Sequence, residues 1–387
     1  MKRLLVYSHD TYGLGNIRRM LSICTDLIKH FKGLSVLVIS SSPMIHALRI
    51  PNRLDYLKLP CLNRSEAEGY TVKFLGTGID ETIKLRTQLI RSAVASFQPE
   101  IFLIDKKPFG IKNELKETLE YIESDLPATK IVLLLRDILD SPESTLKVWR
   151  KNRYFKIIER FYDLVLVVGT SEVFNIIEEY RFPKAAAKKV RFCGYIARER
   201  GRRTRRAIRR ELGLEDDPLV LVTPGGGQDG YKLLETYIAG LASLPEGVKS
   251  LVISGPEMPE PYRARLSEAI VRYPSLRVLD FTEDMMGYMD ASDVVVAMGG
   301  YNTVCEILTL KKRAIIVPRV KPVEEQAIRA ERMAALNLFR TLHPDRLSPQ
   351  LLTSVLTEEL AASATAPWTT QLDMGALPRI AKLLASL

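Results

Sequence analysis

Short runs of Val, Ile and Leu alternate along the chain with longer stretches in which apolar residues recur every three or four positions. Arg3–Tyr7, Ser35–Ser40, Ile101–Asp105, Ile131–Leu135 and Leu164–Val168 are runs of the first kind. They carry almost no polar alternation, the pattern of strands covered on both faces. Ile17, Met20, Leu21, Cys24, Leu27, Ile28 and Phe31 form one stripe at helical spacing between the first two runs. The second half repeats the plan. Leu219–Thr223, Ser250–Ser254, Leu276–Leu279, Asp293–Ala297 and Ala314–Val317 read as strands, with helices near Tyr231–Ala242, Pro261–Tyr273, Thr303–Leu310 and Val323–Leu336. Strands and helices taking turns predict a doubly wound α/β domain in each half.

The chain has 387 residues, which suits two domains rather than one core. Hydrophobic residues make up 46% and charged residues 26%, an ordinary globular mixture that excludes wholesale disorder, a collagen-like repeat and a disulfide scaffold. The net charge of +10 permits an anionic partner without identifying one. Cys24, Cys61, Cys193 and Cys305 are widely spaced and form no C-x-x-C pair, so a reduced, cytoplasmic setting is expected and a zinc ribbon is not. The apolar start, Leu4-Leu5-Val6-Tyr7, stops at Ser8-His9-Asp10, too short for a signal-peptide core. No run approaches the ~20 apolar residues that span a bilayer. Membrane contact, if any, is expected to be peripheral, at the inner face. Nothing in the sequence sets an oligomeric state.

The expected organisation is residues 1–197 as a first domain, 198–210 as a linker, 211–365 as a second domain, and 366–387 as a helical tail packing back toward the first. The linker is conspicuous: eight of its thirteen residues are Arg. One reading is a patch for phosphate, nucleic acid or anionic lipid; the other is a solvated linker running into a helix. No recognised nucleic-acid module accompanies it. Two α/β domains joined this way leave a cleft, and ligands of open α/β sheets bind beyond the carboxyl ends of the strands.

Three glycine loops fall at such ends. The first is Tyr12-Gly13-Leu14-Gly15-Asn16-Ile17-Arg18, where Arg18 stands at the third small position of a dinucleotide fingerprint. The second is Thr223-Pro224-Gly225-Gly226-Gly227-Gln228-Asp229-Gly230-Tyr231-Lys232. It lacks both the acid expected after the next strand and the Lys of a Walker loop. The third is Ala297-Met298-Gly299-Gly300-Tyr301-Asn302-Thr303-Val304-Cys305-Glu306, where Asn302 or Thr303 is placed to cap a helix. Each reads either as a tight turn or as a backbone cradle for phosphate at a helix N-terminus. No Asp-x-Asp or His cluster with metal-ligand spacing occurs.

Together these loops resemble the GT-B glycosyltransferases, closest to the peptidoglycan N-acetylglucosaminyltransferase-like group. The most specific stretch runs from Asp280-Phe281-Thr282-Glu283-Asp284-Met285-Met286 to Met298–Glu306. The resemblance implies two Rossmann-like doubly wound domains facing each other across a cleft. It implies a nucleoside diphosphate-sugar as donor, UDP-sugar favoured, held by Gly13, Gly15, Gly225, Gly226, Gly227, Thr282, Met285, Gly299, Gly300, Asn302, Thr303, Glu306, Glu325 and Gln326. Glu306 would grip ribose, Gln326 would reach the donor sugar or ribose, and Arg18 or Arg319 would assist the diphosphate. Neither a separate cofactor nor a metal is implied, and the transfer would invert the anomeric carbon. Relatives carry His after Gly-Leu-Gly; this chain has Asn16, which cannot accept a proton. His9, Asp10 and Asp137 are therefore the candidate bases, with Asp105 at a further strand end. The acceptor stays open among glycan, lipid-linked and small-metabolite classes. A nucleotide-sugar hydrolase, an epimerase and a non-catalytic nucleotide-sugar-binding protein are the alternatives.

Overall fold

The computed structural model describes residues 1–9, 15–64, 69–362 and 370–387. Asp10 and Gly13, and the expected boundary at 365, lie outside the described residues. The chain divides into two units, Met1–Tyr195 with Gly375–Leu387, and Ile196–Met374.

Unit 1 contains β1 (Arg3–Ser8), β2 (Ser35–Ser40), β3 (Leu54–Lys58), β4 (Leu62–Arg64), β5 (Tyr70–Val72), β6 (Ile101–Asp105), β7 (Lys130–Arg136), β8 (Leu164–Val168) and β9 (Val190–Phe192). Seven of them form one sheet in the order β3-β2-β1-β6-β7-β8-β9, every pair parallel, while β4 and β5 pair as an antiparallel hairpin. All five residues of β6 and all five of β8 are buried, as their unbroken apolar runs require. The helix Gly15–His30 buries the expected stripe from Ile17 to Ile28. The helix Ala376–Ala385 belongs to this unit and packs on Gly15–His30. Ala376 N–H donates to the Tyr195 carbonyl at 3.2 Å, and the Arg379 guanidinium donates to the Cys193 carbonyl at 2.5 Å.

Unit 2 contains β10 (Leu219–Thr223), β11 (Lys249–Ile253), β12 (Leu276–Leu279), β13 (Val294–Ala297), β14 (Arg313–Ile316) and β15 (Arg340–Thr341). Their order is β12-β11-β10-β13-β14-β15, again all parallel. Its core lies against Val220, Val222, Val252, Val294 and Val296 and is closed by Leu233, Leu234, Leu352 and Leu356.

Each sheet therefore winds outward from a central strand and then returns to that strand's other side. The reversal falls between β1 and β6 in unit 1, and between β10 and β13 in unit 2. Loops leaving adjacent strands in opposite directions open a crevice at such a point, where ligands of this fold class bind. The glycine loops after β10 and β13 flank the crevice of unit 2. The loop after β6 borders that of unit 1.

Candidate functional site

The loop after β10 is shaped by its glycines. Gly225 and Gly227 have φ of +81° and +97°, values that side chains rarely adopt. A Cβ on Gly227 would lie 2.5 Å from the Ser254 carbonyl oxygen, so this glycine is demanded by packing. A Cβ on Gly225 would meet nothing within 4 Å. Gly226 is anchored through its carbonyl, which accepts from Glu257 N–H at 2.9 Å.

The loop after β13 enters the helix Tyr301–Leu310 through Gly300, the N-cap residue, at φ −62° and ψ 140°. Asn302 and Thr303 were expected as caps, but the helix starts before them and both lie within it. Glycine brings no side-chain oxygen, so this terminus is closed by no side chain of its own cap. The space where a Gly300 Cβ would stand is open, while Gly299 packs closely against Gln326. An open, dipolar helix start beside a second glycine loop is a cradle for anionic oxygen.

Asn302, Glu306 and Thr309 share one face of that helix at spacings of four and three. Arg198 runs along this face, donating from its guanidinium to Asn302 Oδ1 at 2.5 Å and from its backbone N–H to Thr309 Oγ1 at 3.1 Å. Glu306, half-buried, lies between them in sequence. The Arg198 contact was not foreseen; as the first Arg of a crowded run, it carries no signal of its own.

Glu325 and Gln326 begin the helix Glu325–Ala335, and both are buried. Gln326 Oε1 accepts from Arg319 N–H at 3.1 Å, and Glu325 Oε1 accepts from the Arg319 guanidinium at 3.2 Å. The second guanidinium nitrogen of Arg319 reaches Asp229 at 2.9 Å. Arg329, fully buried, donates to the Gly299 carbonyl at 2.8 Å. Only its i+4 spacing from Glu325 hinted at it.

Met285 begins the short helix Met285–Ala291 and Thr282 precedes its cap, with Thr282 Oγ1 accepting from Asp284 N–H at 3.0 Å. Asp284 caps that helix and accepts from Arg202 N–H, Arg203 N–H and Arg203 Nε at 3.0, 3.2 and 3.1 Å. Burial alone would raise its pKa, but the Arg203 guanidinium and the surrounding N–H donors hold it below the ordinary carboxylate range. Arg205 reaches Asp293 at 2.5 Å, and Arg209 donates to the Asp217 carbonyl at 2.6 Å. The arginine run is thus largely spent on contacts inside unit 2. It runs into the helix Arg205–Glu211, as the linker reading expects, and leaves Arg200, Arg206 and Arg210 exposed.

In unit 1 the structure separates the candidate bases. Asn16 Nδ2 donates to the His9 carbonyl at 2.5 Å and its Oδ1 accepts from Arg19 at 3.3 Å, while Gly15 starts this helix. Arg19 in turn pairs with Asp105 at 2.7 Å, and both are buried. Asn16 therefore braces the end of β1, and Asp105 serves as a buried counter-ion. Asp137 is fully buried, accepting from Ile138 N–H at 2.8 Å and Tyr195 OH at 3.1 Å. Those bonds fix it as a bracing carboxylate.

His9 differs. Its imidazole is buried, and Nδ1 has no hydrogen-bond partner among the described residues. Burial lowers its pKa well below the ordinary 6.5, and Lys106, Lys107, Arg86 and Arg136 push it further down. The folded protein thus resists a proton that the unfolded chain accepts below 6.5. Its contribution to stability is complete above that pH and is lost as pH falls through the window toward the depressed folded value. Urea unfolding from pH 7.5 to 5 is expected to show falling stability, and His9→Gln to flatten part of that slope. An unchanged slope would contradict the neutral, cation-surrounded imidazole.

Comparison with known proteins agrees with this geometry. Residues 219–380 match the profile of the glycosyltransferase family 28 C-terminal domain. An uncharacterized glycosyltransferase of Methanopyrus kandleri is 25% identical over 59% of this chain and 62% of its own length. The UDP-N-acetylglucosamine–N-acetylmuramyl-(pentapeptide) pyrophosphoryl-undecaprenol N-acetylglucosamine transferase of Caldicellulosiruptor saccharolyticus is 28% identical over 42% of each chain. The chain thus spans less than two thirds of the length of these curated relatives. The crystal structure of Acinetobacter baumannii MurG superposes over 100% of both chains with a TM-score of 0.64 at 15% identity, a likeness of fold.

Proposed function

We propose, for a chain with the GT-B fold and a glycosyltransferase family 28 C-terminal domain, that it transfers a sugar from a nucleoside diphosphate-sugar, a UDP-sugar in preference, to a lipid-linked acceptor. The observation that carries this reading is the pair of glycine loops at the β10/β13 reversal, one of them opening on the helix start at Gly300. The relatives' printed names, one of them a transferase acting on a pyrophosphoryl-undecaprenol compound, support the donor and acceptor classes.

In this reading unit 2 holds the donor. The diphosphate lies against Gly225–Gly227 and Gly299–Gly300, and Glu306 takes the ribose hydroxyls. Thr282 and Met285 border the base. As the bond from the anomeric carbon to the diphosphate oxygen breaks, charge grows on the leaving phosphate. Backbone N–H groups and the helix dipole then stabilise it more than they stabilised the ground state. Unit 1 receives the acceptor. An acceptor hydroxyl loses its proton to a base at the end of β1, His9 or its neighbour Asp10, as its oxygen bonds to the anomeric carbon and inverts it. Neutral His9 has a lone pair for this proton, but its burial and the cations Lys106, Lys107, Arg86 and Arg136 oppose the imidazolium that would form. No metal enters the scheme, so EDTA leaves the rate unchanged. A lipid-linked acceptor places the work at the inner face of a membrane. Among the described residues no helix is long and apolar enough to cross one. Phe74 and Leu75, exposed beside Lys73, offer apolar surface for such contact.

Calorimetry with UDP, GDP, dTDP, CDP, ADP and NAD tests the donor site. Selective micromolar UDP binding is expected, weakened about tenfold or more by Glu306→Ala. Binding of none of them would sink the proposal. Transfer of labelled sugar from UDP-sugars into extracted lipid is the expected product. Free sugar would instead mark a hydrolase, a second nucleotide-sugar an epimerase, and binding without product a non-catalytic protein. His9→Gln and Asp10→Asn separate the two bases: loss of kcat of about 10²–10⁴ with unchanged UDP affinity marks the one that acts.

A further inference from the structure

We propose that Arg319 is a positioning residue that locks the two glycine loops of unit 2 into one preformed cradle for a diphosphate. This rests on the donor reading above and deepens it. Arg319 follows β14 and belongs to neither loop. One arm of its guanidinium donates to Asp229 at 2.9 Å, in the loop that contains Gly225–Gly227. The other arm donates to Glu325 at 3.2 Å. Glu325 lies 3.8 Å from Arg329 Nη2, and Arg329 Nη1 donates to the Gly299 carbonyl at 2.8 Å. Charges of alternating sign thus run from the first loop to the second: Asp229, Arg319, Glu325, Arg329, then the carbonyl dipole of Gly299.

Burial gives this chain stiffness. The side chains of Glu325 and Arg329 are 6% and 0% exposed, where an ion pair is less screened than in water and misplacement is costly, while Arg319 and Asp229 at the outer end are 20% and 35% exposed. Its end point has a geometric consequence. A trans peptide is planar, with C=O and N–H opposed. Arg329, by holding the Gly299 carbonyl, therefore turns the N–H of Gly300 away from itself. That N–H belongs to the residue with open space around its Cβ position. At the other end, Asp229 ties the far side of the first loop. Both arms of Arg319 face carboxylates, so it orders the loops rather than reading the phosphate itself.

The test compares UDP with UMP by calorimetry for wild type, Arg319→Ala, Asp229→Asn and the double variant. Each single change is expected to lower the UDP-to-UMP affinity ratio about tenfold, and the double variant to lose no more than either, the mark of one coupled device. A gain in UDP affinity from Asp229→Asn would overturn the proposal, because Arg319 would then be a phosphate ligand held in reserve. Additive losses would overturn it too. Hydrogen exchange on the nucleotide-free protein tests the lock without the donor reading. Arg319→Ala should speed exchange in both the 225–230 and 299–303 segments, at a thermal midpoint close to wild type. Faster exchange in one segment alone would overturn the lock. Absence of UDP binding in wild type, with both segments still released together, would remove the donor reading and leave the lock standing.

Discussion

Gly300→Val is expected to weaken UDP binding about 100-fold while the protein stays folded. The backbone at Gly300, φ −62° and ψ 140°, is one that valine adopts readily. Its Cβ would enter space with no atom within 4 Å. No clash adds to the usual cost of an apolar residue at a helix N-cap, so stability should fall by only about 1 kcal/mol. The same space is where the diphosphate must approach the helix start, and a branched side chain fills it. A fall in UDP affinity of about 100-fold, about 2.7 kcal/mol, is the expected calorimetric result. Retained affinity would move the diphosphate elsewhere. Gly227→Val makes an instructive contrast. With φ of +97° and a Cβ 2.5 Å from the Ser254 carbonyl oxygen, it should lose binding by deforming the loop. Only the Gly300 variant separates ligand approach from folding.

Glu114→Ala carries the largest expected cost to stability. Glu114 accepts from Tyr7 OH at 2.5 Å and from Arg86 Nε and Nη2 at 2.6 and 2.8 Å. All three residues are buried. Burial and the Glu114 charge raise the Tyr7 pKa well above its ordinary value, which keeps the phenol a donor. Burial alone would disfavour the Arg86 charge, yet Glu114 holds its pKa above the ordinary value. Deleting the carboxylate leaves a buried guanidinium without its counter-ion, a loss of about 3–5 kcal/mol. Urea unfolding should show it. Replacing both partners by apolar residues, Glu114→Leu with Arg86→Met, should recover most of the loss, because it removes the charge along with its partner. A cost below about 1 kcal/mol for Glu114→Ala alone would mean that Arg86 finds water or another acceptor.

The central strands were legible because burial on both faces leaves no room for polar residues. β1, β6, β8, β10 and β13 could be read almost to the residue. β3, β9 and β15 were missed, along with the hairpin of β4 and β5. β3 shows why: after buried Leu54 its residues are partly or fully exposed, and an edge strand needs apolar cover on fewer sides. The phosphate loops were legible for a related reason, since glycine marks places where backbone must approach something. The charged framework around them was not. Asp229 and Arg319 are 90 positions apart and Arg86 and Glu114 are 28 apart. No periodicity links such pairs; only the folded sheet brings them together. The helix in the arginine run was legible, but its contacts were hidden for the converse reason. A cluster of like charge in sequence says nothing of the carboxylates and carbonyls that the fold sets against it, here Asp284, Asp293 and the end of Asp217.

The return of the helix Ala376–Ala385 to unit 1 sets an order of completion during synthesis. Unit 2 is one uninterrupted stretch of chain, Ile196–Met374, and holds all of its strands before the last helix is made. Unit 1 begins first, yet the groove of Gly15–His30 that this helix covers must wait while unit 2 is translated. At about 5–20 residues per second that interval lasts on the order of ten to forty seconds. During it, the apolar side of the incoming helix, Ile380, Ala381 and Leu384, has not yet reached its seat. The nascent chain thus carries an uncovered face on unit 1 until the helix Ala376–Ala385 arrives.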